Sequence, residues 1–157
     1  MSKSAPIALD AGGMEVTTGS GYPPPYDEPC RKRRRRHLSD SFGLTDFGVN
    51  IVELSPGTWS SQRHWHSHED EFVYVLEGSL TLITDEGETE LSPGMCAGFK
   101  AGVANGHHLV NRSGAPAVYL EMGSRNAEDD GFYSDIDMQI LKRAKGGEFT
   151  RKDGSEL

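Results

Sequence analysis

Between residues 47 and 122 the chain runs as a series of short apolar stretches, each closed by a glycine or proline turn. Phe47, Val49 and Ile51 alternate with Gly48, Asn50 and Val52, and the turn Pro56-Gly57 follows. Residues 72–76 are rich in β-branched and aromatic side chains and stop at Gly78. Residues 80–84 precede the polar turn 85–88, and residues 89–91 run to Pro93-Gly94. Residues 95–99, 107–111 and 117–122 complete the series. Strands recurring about every 8–12 residues with turns between them predict an all-β sandwich or barrel. With 19 glycines and 8 prolines, long helices are not expected.

The 157 residues suit one domain. The barrel is expected over 47–140, after a flexible tail over 1–21 and a Pro/Arg-rich arm over 22–46. A polar tail is expected over 141–157, and residues 135–140 read as a last strand or short helix. Pro23-Pro24-Pro25 favours an extended polyproline II segment, with Tyr22 and Tyr26 able to pin it to a surface.

Acids outnumber Lys and Arg by 24 to 16, for a net charge of −8. That balance argues against a general nucleic-acid binder. Six bases are concentrated in Arg31-Lys32-Arg33-Arg34-Arg35-Arg36, and the remainder sets 10 bases against 24 acids, or −14. Three readings of the block stand side by side. It can be a solvated extended segment, an arginine clamp for an anionic ligand, or an exposed nucleic-acid patch. The acidic remainder works against the last. No apolar run approaches the roughly 18–20 residues of a membrane span. Residues 1–10 lack the apolar segment of a signal peptide. A soluble cytoplasmic protein is expected. Cys30 and Cys96 do not make a disulfide framework and read as free thiols, with Cys96 expected to be buried on its strand.

Five of the six histidines fall in two clusters, His64/His66/His68 and His107/His108. On a strand, His64 and His66 project to one face and can reach one metal. Glu71 follows after a polar turn, and a later strand opening at His107 can supply a third imidazole. Three nitrogens and one carboxylate oxygen suit a divalent transition metal with positions left open for water or substrate. Iron, manganese, nickel, zinc and cobalt all accept such ligands. Asp70 would project with Phe72, Tyr74 and Leu76, opposite to Glu71. His68 reads as solvated. Trp65 is expected to pack outside the barrel, and Phe72, Tyr74 and Met95 to belong to the core. Gln62, Asn105 and Asn111 are polar candidates near the site.

These residues resemble the cupin superfamily. Its first motif is matched by Gly57, His64, His66, Glu71 and Gly78, with one extra residue between Gly57 and His64. The second motif is matched in part: Gly94 is followed by Lys100-Ala101-Gly102, where a proline is usual in place of Lys100. Two further residues are inserted before His107, and Asn111 then closes the motif. The resemblance covers about residues 45–122. It implies a double-stranded β-helix, a jelly-roll barrel with an extended N-terminal arm. It also implies metal ligation by His64, His66, Glu71 and His107, with His108 as the alternative third imidazole. The nearest kinship is to single-domain cupins described as sugar-phosphate-isomerase-like.

Such a site supports Lewis-acid chemistry on a substrate with paired oxygens, or dioxygen activation at a redox metal. The leading expectation is a metal-dependent enzyme, isomerase- or dioxygenase-like, acting on a small, oxygen-rich metabolite. The arginine block suggests that this metabolite is anionic. Glu71 would be both ligand and proton acceptor. The alternative is a non-catalytic ligand-binding or regulatory cupin. A homodimer is expected, with the arm covering a partner's sheet edge.

Overall fold

A computed structural model describes residues 6–142 and 147–157. Among them, antiparallel strands dominate. The strands are β1 (Thr17–Thr18), β2 (Arg34–His37), β3 (Phe47–Leu54), β4 (His64–His66), β5 (Glu71–Glu77) and β6 (Leu80–Thr84). They continue with β7 (Gly87–Leu91), β8 (Cys96–Phe99), β9 (His108–Val110), β10 (Ala117–Ser124), β11 (Asp130–Tyr133), β12 (Gln139–Leu141) and β13 (Phe149–Thr150). One sheet has the order β1-β2-β3-β10-β5-β8. The other strands form β13-β12-β11-β4 and β7-β6-β9. An isolated antiparallel pair, His64 with His107, joins these two smaller sheets. The all-β jelly-roll expected from the strand series is therefore present. No described helix is long and apolar enough to cross a membrane.

Period-two alternation puts one face of each strand into the core. Val52, Leu54, Val73, Val75, Leu80, Leu82, Leu91, Leu109, Ala117 and Tyr119 form one buried cluster. The phase in β3 differs from the expected one. Phe47 is 46% exposed, while Val52 and Leu54 are fully buried. Register decides this: Val52 lies opposite Tyr119 and Leu54 opposite Ala117 on β10. Likewise Val73 and Val75 of β5 enter the core, whereas Phe72 and Tyr74 are only half-buried. Two further expectations are overturned. Met95 is exposed in a turn, its sulfur facing the Ser92 N–H, and Cys96 is exposed while Cys30 is buried.

Described residues near both ends of the chain include short paired strands. β1 pairs with β2, and β13 pairs with β12. Tyr22 packs on Tyr133 and Phe149, with ring centroids 5.6 and 5.7 Å apart, so apolar burial ties the segment around Tyr22 to β11 and β13. The triple proline does not run on as polyproline II. Its Pro24–Pro25 peptide is cis, and Tyr26 N–H donates to Pro23 O at 2.9 Å in a turn.

Gly78 closes β5 in the left-handed region, at φ 72°. A Cβ there would lie 2.7 Å from Pro116 O and 2.8 Å from Ala117 Cα, where β10 begins. Gly57 also has positive φ, 78°, but open space around it. Gly57→Ala should therefore cost about 1–2 kcal/mol from backbone strain alone. Gly78→Ala adds a backbone clash that no rotamer relieves, and should cost clearly more. Urea unfolding of both variants measures the difference.

Candidate metal centre

The site is built where the two layers of the barrel face one another. β4 carries His64 and His66 on one face because residues two apart on a strand share a side. The backbone pair His64–His107 supplies the third imidazole: His64 N–H donates to His107 O at 3.2 Å and His107 N–H to His64 O at 2.9 Å. Glu71 starts β5 on the opposing sheet, on the same side as Val73 and Val75. The chain thus brings together all four of the expected residues.

His64 Nε2 and His66 Nε2 are 3.1 Å apart. Glu71 Oε2 lies 2.7 Å from His107 Nε2, 3.7 Å from His66 Nε2 and 4.0 Å from His64 Nε2. Donor atoms of His64, His66 and Glu71 all fall within 4.8 Å of one another, and His107 joins through the same carboxylate oxygen. Bonds of about 2.1 Å to one cation put neighbouring donors about 3.0–3.4 Å apart, so the His64–His66 spacing fits a shared ion.

The other ring nitrogen of each imidazole faces an acceptor. His64 Nδ1 lies 2.8 Å from Gln62 O, His66 Nδ1 2.7 Å from Asp129 Oδ2, and His107 Nδ1 3.4 Å from Asn105 O. A proton on Nδ1 donating to that acceptor leaves the Nε2 lone pair free, the arrangement that metal-binding imidazoles use. Phe99 of β8 stacks on His107 with centroids 3.5 Å apart and an angle of 2°. Arg63 steadies the loop before His107 by donating to Gly106 O at 3.1 Å while gripping Asp135 at 2.8 Å.

Electrostatics favour a neutral His64 imidazole beside an ionised carboxylate. Burial pushes His64 down to about 4. Burial alone would push Glu71 up, but the His107 hydrogen bond and the imidazoles around it hold it down at about 2. Burial works against protonation of His66, yet Asp129 and the nearby acids outweigh it and raise its affinity for a proton. Asp129 is fully buried and held at about 2, because the His66 hydrogen bond and the His68 backbone N–H outweigh desolvation.

A second acidic group, His66, Glu69 and Asp129, also has its donor atoms close together. Lys142 already fills it: its ammonium donates to Glu69 Oε1 at 2.8 Å and to Asp129 Oδ2 at 3.3 Å. This group therefore serves to hold β4 and the following turn.

The remaining sequence candidates lie elsewhere. His108 is turned away, with Nδ1 2.9 Å from Ser61 O and its ring edge-on to Trp59 at 4.8 Å. His68 is exposed beside Ser67 Oγ. Asp70 pairs with Lys100 at the surface. Trp65 stacks on Phe132 at 4.6 Å. Gln62 and Asn111 are structural: Gln62 donates to Tyr26 O at 2.8 Å, and Asn111 to Leu54 O at 2.7 Å and Ala115 O at 2.8 Å. Asn105 accepts from the Asp85 N–H at 2.9 Å. Sequence reasoning missed Asp129, Phe99 and Tyr133. Only long-range pairing brings them to the histidines, and none stands in a recognisable local pattern.

A cavity of about 330 Å³ opens onto the cluster. Its walls include His64, His66, Glu71, Phe99 and His107 on one side and Tyr22, Arg35, Tyr119 and Glu121 on the other. The size suits a small metabolite.

Comparison with known proteins agrees with this architecture. The cupin-domain family profile matches residues 50–123. A solved structure from Silicibacter pomeroyi, named as a sugar phosphate isomerase from a cupin superfamily, is 47% identical, with a TM-score of 0.91 over 96% of each chain. A second, from Acidithiobacillus ferrooxidans and named as a candidate sugar phosphate isomerase, is 29% identical, with a TM-score of 0.69 over 76% of this chain and 74% of that one. Tetracenomycin polyketide synthase protein TcmJ of Streptomyces glaucescens is 31% identical over 77 residues, which are 49% of this chain. The chain spans about half the length of that curated relative.

Asp129→Ala would leave two half-buried backbone N–H groups, those of His68 and Glu69, without their acceptor. We expect a loss of about 1–3 kcal/mol in denaturant unfolding. His68→Ala, at an exposed ring, should stay within about 0.5 kcal/mol of the parent.

Proposed function

Because the chain belongs to the cupin superfamily, we propose that it is a metal-dependent enzyme acting on a small, oxygen-rich metabolite by isomerase-type proton transfer. One observation carries the reading: three imidazoles, each with Nδ1 facing an acceptor, present Nε2 toward one ionised carboxylate at the mouth of a small cavity. His64, His66, Glu71 and His107 would hold a divalent transition metal, for which neutral imidazole and carboxylate are suitable donors.

Once bound, the cation would supply Lewis-acid polarisation of a substrate carbonyl and its neighbouring hydroxyl. The protein's own groups do the rest. Glu71 is an ionised carboxylate in the cavity wall beside the imidazoles and can accept a proton from substrate carbon or oxygen. Burial and the neighbouring Tyr22 keep the Tyr133 phenol protonated, 5.7 Å from the His64 ring between centroids. Phe99 and Val73 give the cavity apolar wall, which limits competing water around the reacting atoms. The similarity to the Silicibacter protein supports isomerase-type chemistry over oxygen activation.

The test begins with metal. Protein purified in air and under anaerobic conditions should retain a transition metal by elemental analysis. His64→Ala and His66→Ala should each lose it while keeping the parent's far-ultraviolet circular dichroism. Asp129→Asn should weaken retention about 10–100-fold by releasing the His66 ring. Metal at 100 times its dissociation constant stabilises the fold by about 2.7 kcal/mol, so chelation should lower the melting temperature measurably. Loaded protein, incubated with aldose and ketose phosphates in deuterium oxide, should incorporate deuterium beside the carbonyl. Absence of metal under every condition, with a melting temperature indifferent to chelator, would overturn the reading.

A further inference from the structure

The arginine block is not a uniform patch, because β2 alternates its side chains. Arg34 lies outside and pairs with Glu53 at 2.9 Å. Arg33 and Arg35 turn inward, Arg35 lying opposite the fully buried Val52. Their roles then differ. Arg33 is buried and committed: Nε and Nη2 donate to Gly19 O at 3.1 and 3.0 Å, and Nη1 to Ser60 O. It fastens the N-terminal arm to the barrel. Arg35 has five N–H donors. Among the described residues, its guanidinium pairs with Glu121, at 2.9 Å from Nη2, and its Nε is buried with no partner.

Register fixes where this guanidinium stands. Glu121 lies opposite Val73 of β5, and Glu71 is two residues before Val73 on the same face. Diagonal neighbours of this kind are about 7–8 Å apart, and somewhat closer at Cβ. Arg35 therefore sits across the cavity from the histidine–carboxylate cluster, about the length of a small oxo-acid away. The wall there holds another orphan group: Ser20 Oγ is buried without a partner and lines the same cavity. Glu121 is itself tied by Asn50 Nδ2 at 2.9 Å and Tyr119 OH at 3.4 Å, which keeps Arg35 extended over the cavity.

We propose that Arg35 is the residue that recognises an oxyanion, carboxylate or phosphate, at the end of the ligand remote from the histidine cluster, with Ser20 beside it. The ligand is then a short, doubly functional molecule. One end offers an anionic group to a planar fork of donors, and the other offers oxygens to His64, His66, Glu71 and His107. This rests on the cavity's being the substrate site, but Arg35 can be tested apart from metal.

The experiment is calorimetric titration of inorganic phosphate and, separately, malonate into the full chain, both metal-depleted and metal-loaded. We expect binding of at least one probe by the metal-depleted protein, and which one binds tells phosphate from carboxylate. Arg35→Gln should weaken it about tenfold or more, Arg34→Gln by less than about twofold, and Glu121→Gln should bind as tightly or more tightly. Should Arg35→Gln fold poorly by circular dichroism, Arg35→Lys keeps the charge and loses the fork, and an intermediate loss is expected. Equal losses in the Arg34 and Arg35 variants would reduce the effect to general positive charge and overturn the proposal. So would full affinity in Arg35→Gln or Arg35→Lys, or no binding of either probe by the parent. A protein that retains no metal under any purification condition, yet binds a probe through Arg35, would overturn the metal reading while leaving this one standing.

Discussion

The backbone pair between His64 and His107 is where the site and the barrel become one structure. It joins two sheets of the same layer, through hydrogen bonds of 3.2 and 2.9 Å. It sets the rings of these residues side by side, with centroids 5.3 Å apart. Strand periodicity then brings His66 to the same face, and the opposing sheet brings Glu71. A shift of one residue in this pairing would turn His108 inward and His107 toward Trp59. The grouping of His64, His66, Glu71 and His107 is thus a consequence of sheet register, and the His64 and His107 imidazoles cannot be separated without opening the barrel.

Charge is arranged around that register. A strongly acidic chain must keep its carboxylates from repelling one another in a confined volume. It does so by local pairing: Lys142 between Glu69 and Asp129, Arg63 against Asp135 and Asp85, Arg35 on Glu121. Glu71 differs from these, facing imidazoles rather than a fixed cation. That leaves its ionised form in search of positive charge, which is the electrostatic case for a divalent ion. The arginine block belongs to the same economy of pairing. Its alternation divides it into an arm fastener, a cavity-facing guanidinium and outward charges.

Much of this was legible in the residues themselves. The spacing of His64, His66, Glu71 and Gly78 carries strand period and turn geometry together, so fold and first motif could be read from one short stretch. Gly78 shows why: it accepts positive φ and close approach to Ala117, both local demands. The second motif, with Lys100 in place of proline and two inserted residues, still led to His107, because the following Asn111 caps the strand's end with four hydrogen bonds within the loop and to Leu54. What escaped is long-range. Asp129 lies 63 positions from His66, and nothing in its neighbourhood marks it as a partner. The phase of β3 was misread because Phe47, Val49 and Ile51 alternate as cleanly as Asn50, Val52 and Leu54, and only pairing with β10 selects between them. The arm looked loose because its anchors, Gly19 to Arg33 and Tyr22 to Phe149, are also non-local.

X-ray absorption spectroscopy of the metal-loaded protein tests the central claim most directly, because it reads the ion's immediate neighbours without reference to activity. The account predicts nitrogen and oxygen scatterers only, with the outer-ring signature of about three imidazoles. One imidazole should be lost in His107→Ala and none in His108→Ala. A spectrum with sulfur ligation, or with an imidazole contribution unchanged by His107→Ala, would contradict it.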